Sequence, residues 1–207
     1  SSSAASDVYK RQVPLVDAAG LPSVALTARQ ALFDDGGLEA GQRVLIVGAG
    51  GVVGKYAIAL AKRAGAHVIA TASPRSADAV RAAGADEIID HTETDVLDAV
   101  TEQVDLLLNL APIEPDEFTA LVRLVRDGGV VVSTTAWMPA PDDAGRGVRS
   151  VVVFVRSDTE KLAELVSLVD NGALVLEVTR RIPLTELQAL HAEAAEGPIS
   201  GKVIIIP

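Results

Sequence analysis

Four glycines fall within seven positions, at Gly48, Gly50, Gly51 and Gly54, between the wholly apolar run "RVLIV" (43–47) and a stretch of helical spacing. A strand, a glycine turn and a helix in that order can hold a phosphate. Glycine lets the backbone turn sharply and come close to a pyrophosphate, and the helix N-terminus offers unpaired N–H groups and a positive dipole end. The cluster is not a strict GxGxxG, because Val53 stands where a third glycine is expected after Gly48 and Gly50. It reads instead as GxxGxxG through Gly48, Gly51 and Gly54. Glycines also serve ordinary tight turns, so a dinucleotide is indicated by their place after this strand and before this helix.

The next chemistry lies in "TASPRS" (71–76), at the end of the second strand. Sites for NAD place a carboxylate there to bond the ribose 2'-hydroxyl. Here Ala72 and Ser73 occupy that place and Arg75 is close by. A carboxylate would repel a 2'-phosphate, whereas serine and arginine can bond it, so NADPH is favoured over NADH. The bland alternative for Arg75 is a solvated loop arginine.

The elements that position these residues alternate. "LPSVALTARQALFDDGG" carries an early proline, apolar residues at helical spacing and a Gly36–Gly37 stop, giving a helix over 21–35. Short apolar, β-branched runs predict parallel strands at 43–47, 67–72, 86–90, 104–110, 129–135 and 150–155. Helices are expected after the glycines, at "SADAVRAAG", and near 116–126 and 159–170. Glycine repeatedly closes a helix just before a strand, as in "RAGAHVI" and "RAAGADEII". The fold class is therefore α/β: a doubly wound parallel Rossmann sheet of about six strands with flanking helices.

Composition narrows the partners. The 207 residues hold 28 acidic and 18 basic side chains, a formal charge of −10, with no basic track for a nucleic-acid backbone. No apolar run reaches the roughly 20 residues of a membrane span, so neither nucleic acid nor a membrane is an expected partner. The absence of cysteine excludes disulfides, thiolate metal sites and cysteine nucleophiles within this chain, and is compatible with a cytoplasmic protein.

Taken in order, "LPSVALTARQAL", "GAGGVVG", "VIATAS", "AGADEIID" and "GPISGKVIIIP" resemble the cofactor-binding half of the zinc-independent medium-chain dehydrogenases/reductases, in particular quinone oxidoreductase-like enzymes. The resemblance runs from about residue 14 to the end. It implies an NADPH-dependent oxidoreductase that transfers a hydride to a quinone, enone or related carbonyl, its small-molecule substrate. It also implies a GroES-like N-terminal domain, with the active cleft between the two domains, which this chain does not contain; the chain is expected to be truncated and inactive alone. Three parts are expected: 1–12, a serine-rich head that looks like a translated sequencing-adaptor artefact; 13–172, the NADP-binding domain; and 173–207, a C-terminal remnant of the catalytic domain. That remnant, with a strand near 174–181, a helix near 185–195 and "GKVIII", would expose an apolar face.

Carried over by position, Gly48, Gly51, Val52 and Val53 lie against the pyrophosphate, and Ser73 and Arg75 at the 2'-phosphate. His91 resembles a residue beside the adenine, or is a surface residue. Asn109, Leu110 and Ala111, with Thr134 and Thr135, end the fourth and fifth strands, where the nicotinamide half is expected. Phe154 and Val155 resemble a segment whose backbone meets the carboxamide. Thr27 resembles a residue facing nicotinamide or substrate, and Lys202 one reaching the cofactor phosphates, with an exposed strand-start lysine as the alternative. No proton donor is nominated and no metal is expected: metal-dependent relatives place a zinc ligand near Ser23, and serine is not one. A homodimer through the edge strand 150–155 is expected, with Val153→Lys giving monomers. The alternatives are a non-catalytic NADPH-binding module and an NADP-dependent alcohol dehydrogenase-like enzyme. A short-chain reductase fails, because neither Tyr9 nor Tyr56 is followed four residues on by lysine. A methyltransferase would want an acid after the second strand.

Overall fold

The structure, a computed structural model, describes residues 14–138, 140–197 and 199–207. The head segment 1–12 lies outside the described residues. Two compact units emerge: Thr27–Arg156, and Ser157–Pro207 together with the chain up to Leu26. The helix at 159–170, which the sequence assigns to the cofactor domain, thus groups with the C-terminal segment, and the helix at 21–35 straddles the division.

The larger unit is a six-stranded sheet. Its strands are β1 (Arg43–Val47), β2 (His67–Ala72), β3 (Glu87–Asp90), β4 (Val104–Asn109), β5 (Val125–Ser133) and β6 (Arg149–Val152). They run parallel in the order β3-β2-β1-β4-β5-β6. The chain starts in the middle, winds outward one way, then returns to wind the other, so strand order reverses between β1 and β4. A ligand crevice forms at such a reversal, outside the carboxyl ends of the strands. The central strands read as continuous apolar runs because both faces are covered: Val44, Leu45, Ile46, Leu107 and Leu108 are fully buried.

Before β1 come α1 (Leu15–Ala18), α2 (Leu21–Arg29) and a π-helical stretch, Gln30–Asp35. Between strands lie α3 (Val52–Arg63), α4 (Ala77–Ala82), α5 (Val96–Ala99) and α6 (Pro115–Leu121). Helix α3 buries Tyr56, Ala57, Leu60 and Ala61 and carries Lys62 and Arg63 in its last turn, where the helix dipole favours cations. The main core cluster includes Leu45, Ile69, Leu107, Phe118, Leu121 and Val131.

Two expected boundaries move for identifiable reasons. The helix near 116–126 stops at Leu121 and passes through one 3-10 turn, Val122–Leu124, because buried Val125 already pairs with Val104 as the first rung of β5. The strand expected over 150–155 ends at Val152, because β5 ends opposite it at Ser133 and leaves nothing further to pair with. The Val153 N–H makes one last bond to the Ser133 carbonyl, 2.8 Å, and its side chain is buried. Val153→Lys would therefore disturb the protein's own core and is not a clean test of a dimer.

In the smaller unit, α7 (Thr159–Asp170) is followed by β7 (Arg180–Pro183), a 3-10 turn, α8 (Leu187–Glu196) and β8 (Val203–Ile206). The strand expected near 174–181 is shorter and later, since the four residues of β8 limit the ladder to Arg180–Pro183. Arg181 Nε donates to Asp17 Oδ1 at 2.6 Å, tying α1 to β7, and this hydrogen bond holds the Asp17 carboxyl below its ordinary range. Leu15, Val16, Val175, Leu184 and Ile205 are exposed on this unit.

Candidate functional site

The glycines divide the work of the first turn. Gly48 has φ +78°, which side chains rarely adopt, and a Cβ there would lie 2.8 Å from that of Ala111. Its N–H donates to Thr71 Oγ1 at 3.0 Å, and the Ala49 N–H bonds the Thr71 carbonyl. Gly50 lies against Ser76, whose Oγ would be 2.5 Å from an added Cβ. Gly54 packs α3 against the turn, where a Cβ would collide with the Ala49 carbonyl. Gly51 differs: it is exposed, has ordinary φ, and a Cβ there would meet nothing nearer than the Gly48 carbonyl at 3.8 Å. It is the N-cap of α3 and offers no side-chain cap, so the first N–H groups of that helix stay available beside open space. Val52 and Val53, in the first turn, are half-buried.

Ser73 follows β2 in a compact turn. Its N–H donates to Ser76 Oγ at 3.1 Å, and Ser76 Oγ donates back to the Ser73 carbonyl at 3.2 Å. Arg75 projects from the tip, exposed and with no recorded partner among the described residues. The second turn is thus locked to the first through Ser76 and Gly50. Neither Thr71 nor Ser76 stands out in the sequence, because their contacts with the glycine turn join segments more than 20 residues apart and leave no local pattern.

Beyond the reversal of strand order, the carboxyl ends of β4 and β5 carry buried polar groups. Asn109 is 0% exposed. Its Oδ1 accepts from the Ala111 N–H, while its Nδ2 has no hydrogen-bond partner. Leu110 bonds back to the Val47 carbonyl, 2.9 Å, holding this strand end beside the glycine turn. The hydroxyls of Ser133 and Thr135 pair at 2.7 Å, and the Thr134 N–H donates to the Asn109 carbonyl at 3.1 Å. An orphaned buried amide is costly unless something fills its hydrogen-bonding capacity.

A cavity of about 870 Å³ opens at the same edge, lined by Gly48, Thr71 and Ala111 and by the segments following β3 and β4. His91 lines it, with Glu93, Asp95, Glu114 and Glu117 giving the wall an acidic character. Next to His91, the Asp90 carboxylate accepts from the Thr92 hydroxyl and N–H, which holds its pKa down. The structure therefore brings together Gly48, Gly51, Val52, Val53, Ser73, Asn109, Leu110, Ala111, Thr134 and Thr135 at one sheet edge, with His91 in its cavity. Phe154 (65% exposed) and Val155 follow β6 at that edge. Thr27 is half-buried on α2. Lys202 belongs to the smaller unit, where its carbonyl accepts from the Thr179 N–H and hydroxyl.

Sheet order, glycine turn and crevice define a doubly wound, Rossmann-like α/β class. Within that class, the family described as zinc-binding dehydrogenase matches residues 83–205, more than half of the chain, and the chain belongs to it. It is 29% identical over 211 residues to a chloroplast envelope quinone oxidoreductase homolog of Arabidopsis thaliana, covering 95% of this chain and 64% of that protein. It is 32% identical over 220 residues to a mitochondrial NAD(P)H oxidoreductase of Mus musculus, covering 91% and 54%. Among solved structures, the quinone oxidoreductase from Coxiella burnetii superposes with a TM-score of 0.81 at 30% identity, over 90% of this chain and 59% of that one. An NAD-dependent alcohol dehydrogenase gives 0.80 at 26%, over 94% and 60%. The chain thus spans less than two thirds of the length of these relatives.

Two observations fit a nicotinamide dinucleotide to this edge: the open space at Gly51 and the unfilled amide of Asn109. The family description also names zinc, but among the described residues no three histidine or carboxylate side chains converge to hold one. No helix among the described residues is long and apolar enough to cross a membrane.

Proposed function

We propose that the carboxyl edge of the six-stranded sheet binds NADPH and that the whole protein is a reductase of quinones, enones or related carbonyls, working without zinc. The observation that carries this reading is the glycine turn, in which Gly48, Gly50 and Gly54 are filled by the protein itself while Gly51 alone faces open space at the start of α3. A pyrophosphate placed there meets the free N–H groups of a twelve-residue helix. Ser73 and Arg75 supply a hydroxyl and a cation for a 2'-phosphate. The acidic wall of the neighbouring cavity would repel a phosphate, so its fit is to the neutral adenine, with His91 beside it.

Across the reversal of strand order, Asn109, Thr134 and Thr135 present an amide and hydroxyls to the nicotinamide half. The cofactor, when bound, supplies the hydride. This chain's residues bind and orient it. A carbonyl or quinone oxygen can be stabilised by hydrogen-bond donors alone as charge develops. We propose further that two copies pair along the free edge of β6. Sedimentation at micromolar concentration then gives a two-chain mass, and a one-chain mass rejects that pairing.

Calorimetric titration with NADPH and NADH tests the main reading. NADPH binds more tightly, and Arg75→Ala removes most of the preference, about tenfold for a charge-assisted bond. A folded chain that prefers NADH, or whose preference survives Arg75→Ala, refutes the 2'-phosphate assignment.

A further inference from the structure

Gln30 is polar, 1% exposed, and has no part in the glycine turn. Its side-chain amide makes a reciprocal pair with the main chain of Arg156: Nε2 donates to the Arg156 carbonyl at 2.8 Å, and Oε1 accepts the Arg156 N–H at 2.9 Å. An antiparallel strand residue makes this two-way exchange with its neighbour, but here a helical side chain makes it. The sheet has by then run out. The β5–β6 ladder closes at Ser133 and Val152, and Val153 makes the last bond to β5. Gln30 supplies the next rung.

Between the two anchors lie Phe154 and Val155, both exposed, with no recorded partner among the described residues for their main-chain N–H and C=O groups. A stretch of backbone held at Val153 and Arg156, with its own amide groups unfilled, is preorganised for a ligand that carries an amide. Gln30 also opens the π-helical stretch Gln30–Asp35, a rare conformation that concentrates at functional sites. A second tie is the Arg156 guanidinium, 3.5 Å from Asp35 Oδ1; the Arg156 side chain is 56% exposed, so solvent screens the pair and it contributes little.

We propose that Gln30 is a positioning residue for the nicotinamide end of the cofactor: by giving the sheet edge a rung from a helix, it holds the Phe154 and Val155 main chain in the conformation that receives the carboxamide. This rests on the NADPH reading above. The role acts on one half of the cofactor only, which separates it from general stabilisation.

The test uses the full chain, unchanged and as Gln30→Met and Gln30→Glu, titrated with NADPH and with adenosine 2',5'-bisphosphate, which lacks the nicotinamide. Gln30→Met loses both bonds and weakens NADPH about tenfold while leaving the bisphosphate within about twofold. Gln30→Glu keeps the acceptor for the Arg156 N–H but cannot donate to its carbonyl, and falls between. If Gln30→Met loses its circular-dichroism signal of folding, Gln30→Glu carries the same comparison. Equal losses for both ligands, or no loss for NADPH, overturn the role of Gln30 while leaving the NADPH reading intact. An unchanged chain that binds neither ligand overturns both.

Discussion

At the amino ends of β1 to β5, charge is matched with charge. Arg43 opens β1 and reaches Glu102 and Glu87 at 3.4 and 3.5 Å, while its N–H donates to Asp105 Oδ2 at 2.8 Å. His67 opens β2 and lies 2.6 Å from Glu87, Lys62 lies 2.6 Å from Asp86, and Arg126 pairs with Asp105. At the carboxyl ends of the same strands there is almost no ion pairing among the described residues; there are glycines, buried hydroxyls, an acidic cavity and an amide without a partner. Arg43 Nε is also unfilled, but both of its terminal nitrogens are engaged, whereas the whole amino group of Asn109 is not. One edge closes the sheet and the other leaves capacity for something else. In a parallel sheet the two edges arise from the same residue runs, so this asymmetry of satisfaction separates scaffold from site.

Substitutions can break that contrast. The largest effect is expected at Gly54. Valine there drives α3 off the Ala49 carbonyl and costs roughly 3 kcal/mol, read by urea unfolding, since overpacking a filled contact forces backbone shifts. Gly51→Ala, three residues earlier and into open space, leaves stability within about 0.5 kcal/mol and shows its effect in NADPH affinity instead. If both substitutions destabilise alike, the division of labour among the glycines is wrong.

Asp105→Asn, at the opposite edge, removes the partner of Arg126 and weakens the bond to the Arg43 N–H. It lowers stability by about 1 kcal/mol and leaves NADPH binding unchanged. A loss of binding there would mean that the two edges are not independent.

The smallest effect is a pH dependence at Asp86. Burial works to raise its pKa, but the Lys62 ammonium, the Val68 N–H and His67 together outweigh it, and the net shift is downward. A depressed carboxylate stabilises the fold above its unfolded value near 4, and that contribution disappears as pH falls through the lower folded value. Asp86→Asn should therefore lie below the unchanged protein by about 1 kcal/mol or less at pH 7, and the gap should narrow as pH falls below about 4. A gap that does not narrow at all below about pH 4 would place the effect in packing.

The central strands are legible in the sequence because burial on both faces leaves a continuous apolar run. β1 and β2 begin and end where "RVLIV" and "HVIATA" do. Legibility fails at the margins. β6 has one neighbour and stops where β5 stops, a limit set by a partner strand rather than by its own apolar residues. β7 is shortened in the same way by β8. The first turn shows a similar limit. Its glycines mark the site, but the sequence does not say which one faces outward, since that depends on Ala111, Ser76 and Ala49 arriving from elsewhere. Gln30 lies inside "LPSVALTARQAL", but nothing in that string marks its role, which comes from meeting a main chain 126 residues away.

The most direct test of the account is to follow backbone and side-chain amide resonances of the folded chain by nitrogen-15 NMR while NADPH is added. Shifts are expected at Gly51, Val52, Ser73, Ala111 and Thr134, and at the side-chain NH2 of Asn109, with Arg43, His67, Asp86 and Asp105 unmoved. Shifts confined to the charged amino edge, or an Asn109 amide that does not respond at saturating NADPH, would contradict it.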